Sequence, residues 1–235
     1  GSRKPGALLY KRGSKLAQEQ TRKICPEVKK QNAWIVDEDD SRLYWDALQI
    51  IREWTKVNHA MIHRRAAAFY AGTAIRDQFW NEHNFVFRKP DGLYYHAKGA
   101  TPIFAHSPDA FIERIIPLSM GDPILLVQSN SMTPESALKF APHGAGRNYS
   151  RTEHMRRLSP KPENIEDASA IQVAAETAGI DARFWTGHPD VSELPSAYKS
   201  ADVIQAEIAK NNLATITDYI DPYGSLMAGE WKRGS

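Results

Sequence analysis

One segment, APHGAGRNYSR from Ala141 to Arg151, concentrates residue types that can do chemistry. His143 stands directly before Gly144, Ala145 and Gly146, with Arg147 and Arg151 behind it. Glycines lack a Cβ, so their backbone can approach a phosphate closely. Arginines offer phosphate oxygens a fixed fork of donors. An imidazole at the mouth of such a nest is placed to attack phosphorus, to hold a metal or to carry a proton. The segment points to phosphoryl or nucleotidyl chemistry centred on histidine; the plain alternative is a glycine-rich turn with a surface histidine.

Two other segments carry weaker signals. NEHNFVF, residues 81–87, places His83 and Asn84 at the start of a strand-like run. The pair could supply a metal ligand and an amide for phosphate, or a satisfied structural histidine. HAKGATP, residues 96–102, sets Lys98 before a glycine, either as a phosphate-binding lysine or as a solvated charge at a turn. His59 and His63, four residues apart, could share a metal on one helix face, but no third ligand is evident nearby. Walker A, GxSxG, CxxC and HExxH patterns are absent.

The elements that must position these residues can be read from periodicity. Asp39 to Ala68 reads as a helix with Tyr44, Ala47, Leu48, Ile51, Trp54, Thr55 and Asn58 on a core face, capped by Asp39, Asp40 or Ser41. Asn84 to Lys98 reads as a hairpin turning at Lys89-Pro90-Asp91-Gly92. Ile115–Pro117 and Ile124–Val127 read as short buried strands, joined through a turn at Ser119–Pro123 that can present backbone donors. Ser131–Lys139 reads as a short helix, as does Asn164–Ala178 with Ile165, Ala168, Ile171, Val173 and Ala174 inward. Pro195–Leu213 reads as another, with Val203, Ile204, Ile208 and Leu213 inward; Ala214–Gly229 reads as strand or edge. No repeat or linker stands out. The mixture predicts an α+β fold with a mixed sheet core and helices packed outside it.

The bulk properties set the class. The chain has 235 residues, 42% hydrophobic and 25% charged, as in an ordinary globular protein able to bury roughly 70% of its unfolded surface. A net charge of +2 with eight histidines permits a nucleic-acid partner without demanding one. The single Cys25 excludes an internal disulfide framework and points to a reducing, cytoplasmic setting. There is no apolar run long enough for a membrane span, and GSRKPGALLYKRG lacks the apolar centre of a signal peptide.

The order of the pieces adds specificity. GSR at the start, the YWDALQ…NHAMIHRR helix, then HN, KGAT, IPLSMG, HGAGR with SR behind it, and ELPSAYK together resemble the RtcB family of RNA-splicing ligases, from Gly1 to about Gly229. The resemblance implies joining of an RNA 3′-phosphate or 2′,3′-cyclic phosphate to a 5′-hydroxyl, with GTP and Mn²⁺. It implies that His143 is the nucleophile that takes up GMP through a phosphoramidate bond. It also implies that His83 is a metal ligand and Asn84 a guanylate contact, with Lys98 in a motif near the site. Pro117, Ser119 and Met120 would contact phosphate. Gly144, Ala145 and Gly146 would cradle the guanylate, Tyr198 would stack on guanine, and Arg3, Arg147 and Arg151 would hold RNA phosphates.

Three departures stand beside the resemblance. The family's other metal ligands, an Asp-x-x-Gly-Cys-type segment, an Asn-His pair and a His ahead of Gly-Ser-Arg, have no counterpart here, and Cys25 does not sit in such a motif. Residues 1–235 therefore read as the C-terminal portion of an RtcB-like catalytic domain, needing its upstream half in cis or in trans. In the nucleotide-contacting loop, Leu118 replaces the family's glycine, and Ile124 replaces a serine. The family's C-terminal lysine falls at Met227, with Lys232 close by. Two readings follow: a ligase portion acting on RNA ends, with an archease-like activator as a further partner, or a diverged RNA-end-binding or regulatory module without ligase activity.

Overall fold

A computed structural model describes residues 3–24, 26–27, 38–70, 72, 74–104, 113–158, 165–185 and 190–227. The chain divides into two compact units, Gly1–Gln78 and Phe79–Ser235. Cys25, Lys232 and the ends of two expected elements, Asn164 and Gly229, lie outside the described residues.

The first unit is a pair of helices, α1 (Arg3–Ile24) and α2 (Glu38–Tyr70). The second matches the sequence reading. The sequence analysis assigns no element to the first, which contains Pro5, Gly6 and Gly13. Proline is tolerated in a first helical turn, where its missing N–H has no intrahelical partner to lose. Gly13 serves packing, since a Cβ there would sit 2.6 Å from the Tyr44 ring. Ala17 and Thr21 are buried one turn further on, and the Gln20 side chain donates to Asp40 at 2.5 Å.

The second unit distributes its strands over four small sheets. Strands β1 (Asn84–Arg88) and β2 (Tyr94–Lys98) form the expected hairpin. Its turn closes through Gly92 N–H donating to Lys89 O, with Gly92 at φ +80°, a conformation glycine adopts without strain. The short strands β3 (Ala100–Pro102) and β6 (Phe140–Pro142) pair antiparallel, which brings KGATP against the HGAGR segment. Strands β4 (Arg114–Ile116), β5 (Ile124–Gln128) and β8 (Thr215–Ile220) form an antiparallel sheet. β7 (Asp181–Phe184) and β9 (Gly224–Met227) pair in parallel. Helices α3 (Arg151–Leu158), α4 (Ile165–Glu176) and α5 (Ala201–Lys210) complete an α+β fold.

The core joins Ile116, Leu125 and Val127 of the central sheet to Ile204 and Ile208 of α5, and includes Leu118, Ala141 and Ala145. Thr101, at 0% exposure, takes a hydrogen bond from Asn81, whose carbonyl oxygen in turn accepts from Ile115 N–H. One amide thus ties β3 to β4. Buried Arg114 donates to the carbonyls of Pro102, Glu113 and Phe104, so its charge is solvated by backbone dipoles.

Several local expectations are corrected. The helix expected at Ser131–Lys139 is a single 3-10 turn, Glu135–Ala137. Asn130 captures the preceding backbone, accepting from Met132 N–H on its side chain and Thr133 N–H on its carbonyl, which competes with helix. The helix expected at Pro195–Leu213 is a 3-10 turn, Pro195–Ala197, followed by α5, because Tyr198 is extended at φ −112°, ψ 159°. Ile171, Val203 and Trp54, expected inward, are exposed. Among the described residues no helix is long and apolar enough to cross a membrane.

Candidate functional site

The β3–β6 pairing fixes the central histidine. His143 follows β6 and faces Gly99, which precedes β3. The Gly99 carbonyl accepts from His143 N–H at 3.3 Å and contacts the ring Nδ1 at 2.8 Å. A carbonyl can only accept, so Nδ1 of the neutral ring carries the proton and Nε2 keeps the lone pair. Gly99 has φ +70°, and a Cβ there would lie 3.1 Å from His143 Nδ1. Glycine suits that position on both counts: another residue would be strained there and would press on the His143 ring.

Gly99 is itself held from below. Its N–H donates to the Asn84 side-chain oxygen at 2.8 Å and to His83 O at 2.9 Å. Asn84, expected to touch guanylate, thus has its oxygen engaged in positioning the strand that holds His143. The His83 and His143 rings stack at 4.8 Å between centroids, 21° from parallel. Burial, and secondarily the facing His143, lower the His83 pKa below the usual 6.5. That favours the neutral imidazole a metal needs. Lys98 closes β2 with its side chain exposed. Arg3 opens α1 in the other unit.

The glycines behind His143 differ in use. A Cβ on Gly144 would stand 2.7 Å from Pro117 O, so this glycine lets the HGAG turn lie against the PLSM loop. Ala145 is buried in the core, leaving only its backbone to face a ligand. Gly146 has φ +70° with open space around its missing Cβ, and its carbonyl accepts from Lys199 N–H.

Beside this turn lies a cleft of about 290 Å³. Its walls include Pro117, Leu118, Ser119, Met120, Ile124 and Tyr198, all singled out in the sequence, together with Met227. His143 is not a wall residue; it stands at the end of the turn that Gly144 stitches to Pro117. Ser119 is engaged locally, its hydroxyl donating to Asp122 at 2.5 Å and accepting from Gly121 N–H at 3.2 Å. Leu118 is 8% exposed and belongs to the core.

Sequence reasoning missed two carboxylates of this cleft, Asp122 and Glu193. Glu193 sits inside the quoted ELPSAYK motif, five residues before Tyr198, and that spacing was its only signal. It accepts from Arg147 Nη2 and Tyr198 OH, both at 2.5 Å, and from Arg151 Nε at 2.9 Å. Burial acts to raise its pKa, but hydrogen bonds from Tyr198 and Arg151 and the two arginine charges leave it lowered. Tyr198 is pushed up to about 12, chiefly by burial and then by its bond to Glu193. Arg147 lies 4.8 Å from the Tyr198 ring centroid and also donates to Ser192 O and Tyr198 OH. Its donors, expected on RNA phosphate, are engaged within the protein.

The donor set tests the expected metal. Among the described residues no group of three or more His, Cys, Asp or Glu could hold an ion. This chain's described residues offer His83 as one ligand and do not by themselves fit a two-metal site.

Comparison with known proteins follows the same lines. Residues 1–227 match the family described as tRNA-splicing ligase RtcB. A curated relative, the tRNA-splicing ligase RtcB of Archaeoglobus fulgidus, is 24% identical over 192 residues. The match covers 77% of this chain but 38% of that protein, so the chain spans well under half of the relative's length.

Proposed function

The chain belongs to the RtcB family, and from that premise we propose that it carries the nucleotide-transfer part of a GTP- and Mn²⁺-dependent RNA ligase. The ligase joins RNA 3′-phosphate or 2′,3′-cyclic phosphate ends to 5′-hydroxyl ends. The observation that carries this reading is the His143 Nδ1–Gly99 O contact at 2.8 Å. It leaves Nε2 as the basic nitrogen, rigidly presented at the end of the glycine turn.

In this reading His143 Nε2 attacks the α-phosphorus of GTP, the P–N bond forms, and pyrophosphate leaves with the electrons of the broken P–O bond. The transferred guanylate then caps the RNA 3′-phosphate, converting a poor electrophile into an anhydride with a good leaving group. The cleft takes the nucleotide, with Tyr198 as its aromatic wall and the 117–120 loop at its phosphates. Gly144 and Gly146 keep side chains away from it. Arg151, 65% exposed at the start of α3, meets RNA phosphate, and Lys98, exposed at the end of β2, is a cation for the nucleotide. Mn²⁺, when bound, neutralises phosphate charge; His83 is this chain's ligand for it, and the remaining ligands come from an upstream half in cis or in trans. An archease-like activator belongs to the same proposal, as does a cytoplasmic setting.

A second reading, an RNA-end-binding or regulatory module without ligase activity, is favoured by one observation. Ile124 and Met227 line the cleft where the family resemblance expects a serine and a lysine, so apolar surface replaces two donors.

Intact-mass spectrometry separates the two readings. The chain is incubated with GTP and Mn²⁺, alone and with the upstream half of an RtcB-type protein supplied. The ligase reading expects one guanylate added in the supplied sample and none in His143→Ala. Failure to gain it, in a supplied sample that binds Mn²⁺ and RNA, leaves the binding module standing.

A further inference from the structure

The four-residue network around Glu193 has a division of labour that the ligase reading does not use. Glu193 and Arg147 are withdrawn from solvent, at 15% and 19% side-chain exposure, whereas Arg151 is 65% exposed. Arg147 is held three ways besides its ring contact: by Ser192 O, Glu193 and Tyr198 OH. Arg151 reaches Glu193 through both Nε and Nη2, at 2.9 and 2.7 Å. One carboxylate oxygen therefore sits in a fork between two guanidinium groups, while the other takes the Tyr198 hydroxyl.

We propose that Glu193 is a positioning residue with two linked tasks: it anchors Tyr198 at the cleft wall, and it occupies the arginine fork as an internal anion that an RNA-end phosphate displaces from Arg151. Phosphate and carboxylate present equivalent acceptor pairs to a guanidinium. Of the two guanidinium groups, Arg151 is the one open to exchange, because its side chain is 65% exposed whereas that of Arg147 is 19% exposed. Arg147 is fixed by neighbours that a ligand cannot displace without dismantling the cleft wall. Its guanidinium lies over the Tyr198 ring, which also lines the cleft. The proposal rests on the reading of the cleft as a nucleotide site. It adds a coupling: the residue that holds the aromatic wall also sets how readily the neighbouring cation accepts an RNA end.

Glu193→Gln separates this from a merely structural role, because its two effects have opposite signs. Guanosine, which carries no phosphate, binds about five- to tenfold more weakly, the scale set by loss of one typical net hydrogen bond. A short RNA ending in a 3′-phosphate binds several-fold more tightly, and the gain is absent for the same RNA ending in a 3′-hydroxyl. In ¹³C NMR of ζ-labelled tyrosine, Tyr198, pushed up to about 12 in the parent chain, is expected to move down toward the ordinary value in the variant. Glu193→Asp restores part of each change. Arg151→Ala, which keeps both hydrogen bonds to Tyr198, weakens the 3′-phosphate RNA more than guanosine. Should Glu193→Gln unfold the chain, this second variant still decides: equal losses for both probes overturn the proposal. Equal weakening of both probes in Glu193→Gln, or an unmoved Tyr198 titration, also overturns it while leaving the nucleotide reading intact. If the parent chain binds neither probe, the nucleotide reading falls and the proposal with it.

Discussion

The two units differ in how much apolar core they bury. In the second unit, Ile116, Leu125, Val127 and Ile208 are fully buried, and the core they make runs directly beneath the His143 turn through Ala141 and Ala145. In the first unit, Leu43, Ile50, Trp54, Val57 and Met61 stay between 41% and 72% exposed. Their spacing of seven, four, three and four residues places them along one stripe of α2. A stripe of this kind is uncommon on a protein that works alone. The contrast teaches that His143 follows a segment anchored in a core of buried aliphatic side chains, whereas α2 presents an exposed apolar stripe.

Mutations at the two regions sharpen the contrast. Ile116→Ala or Leu125→Ala lowers stability by about 2–5 kcal/mol in denaturant titration, the usual range for emptying a buried aliphatic site. Val57→Ser on the stripe changes it by less than about 0.5 kcal/mol. Equal losses at both positions would show that the stripe is covered in solution. Gly144→Ala comes next, at about 1–3 kcal/mol, because its Cβ would meet Pro117 O at 2.7 Å and the backbone must shift. The same variant blocks guanylate transfer in the mass assay, whereas Gly92→Ala, at the hairpin turn, leaves transfer in place. Replacing Ile50 and Val57 together by Glu reduces binding of an apolar dye and leaves the melting temperature of the second unit within a few degrees.

The smallest effect is a pH dependence confined to the second unit. The Glu193 pKa lies below its ordinary 4.5 in the folded state. Its contribution is therefore fully present above pH 4.5 and is lost as pH falls through the lowered value. Glu193→Gln should flatten the acid side of the stability profile below pH 4.5. An unchanged profile would show that the carboxylate is not held by Tyr198 and the arginines.

Much of the site's membership was legible, and its connections were not. Asp91-Gly92 announced a hairpin, and helical periodicity announced α2, because turn chemistry and amphipathic spacing are local signals. The six cleft residues singled out in the sequence do share one cleft. What periodicity could not say is whether the chain itself covers an apolar face, so Trp54, Val203 and Ile171 were placed inward and lie outward. α1 was assigned no element from the sequence; its Gly13 packs against Tyr44, some thirty residues away, a contact that no local pattern shows. Long-range pairing likewise hid the Gly99–His143 contact and the engagement of Arg147 by Glu193, since neither leaves a mark in sequence spacing.

The central claim is that Gly99 fixes His143 with its proton on Nδ1 and its lone pair on Nε2. Long-range ¹H–¹⁵N correlation spectra of histidine-labelled chain, with His143→Ala to assign the signal, read the tautomer directly. The account predicts that the neutral form of the His143 ring carries its proton on Nδ1, with a shift toward the ordinary tautomer mixture when Asn84→Ala loosens Gly99. A ring protonated at Nε2 would contradict it, because the nitrogen presented for attack would then be the one without a lone pair.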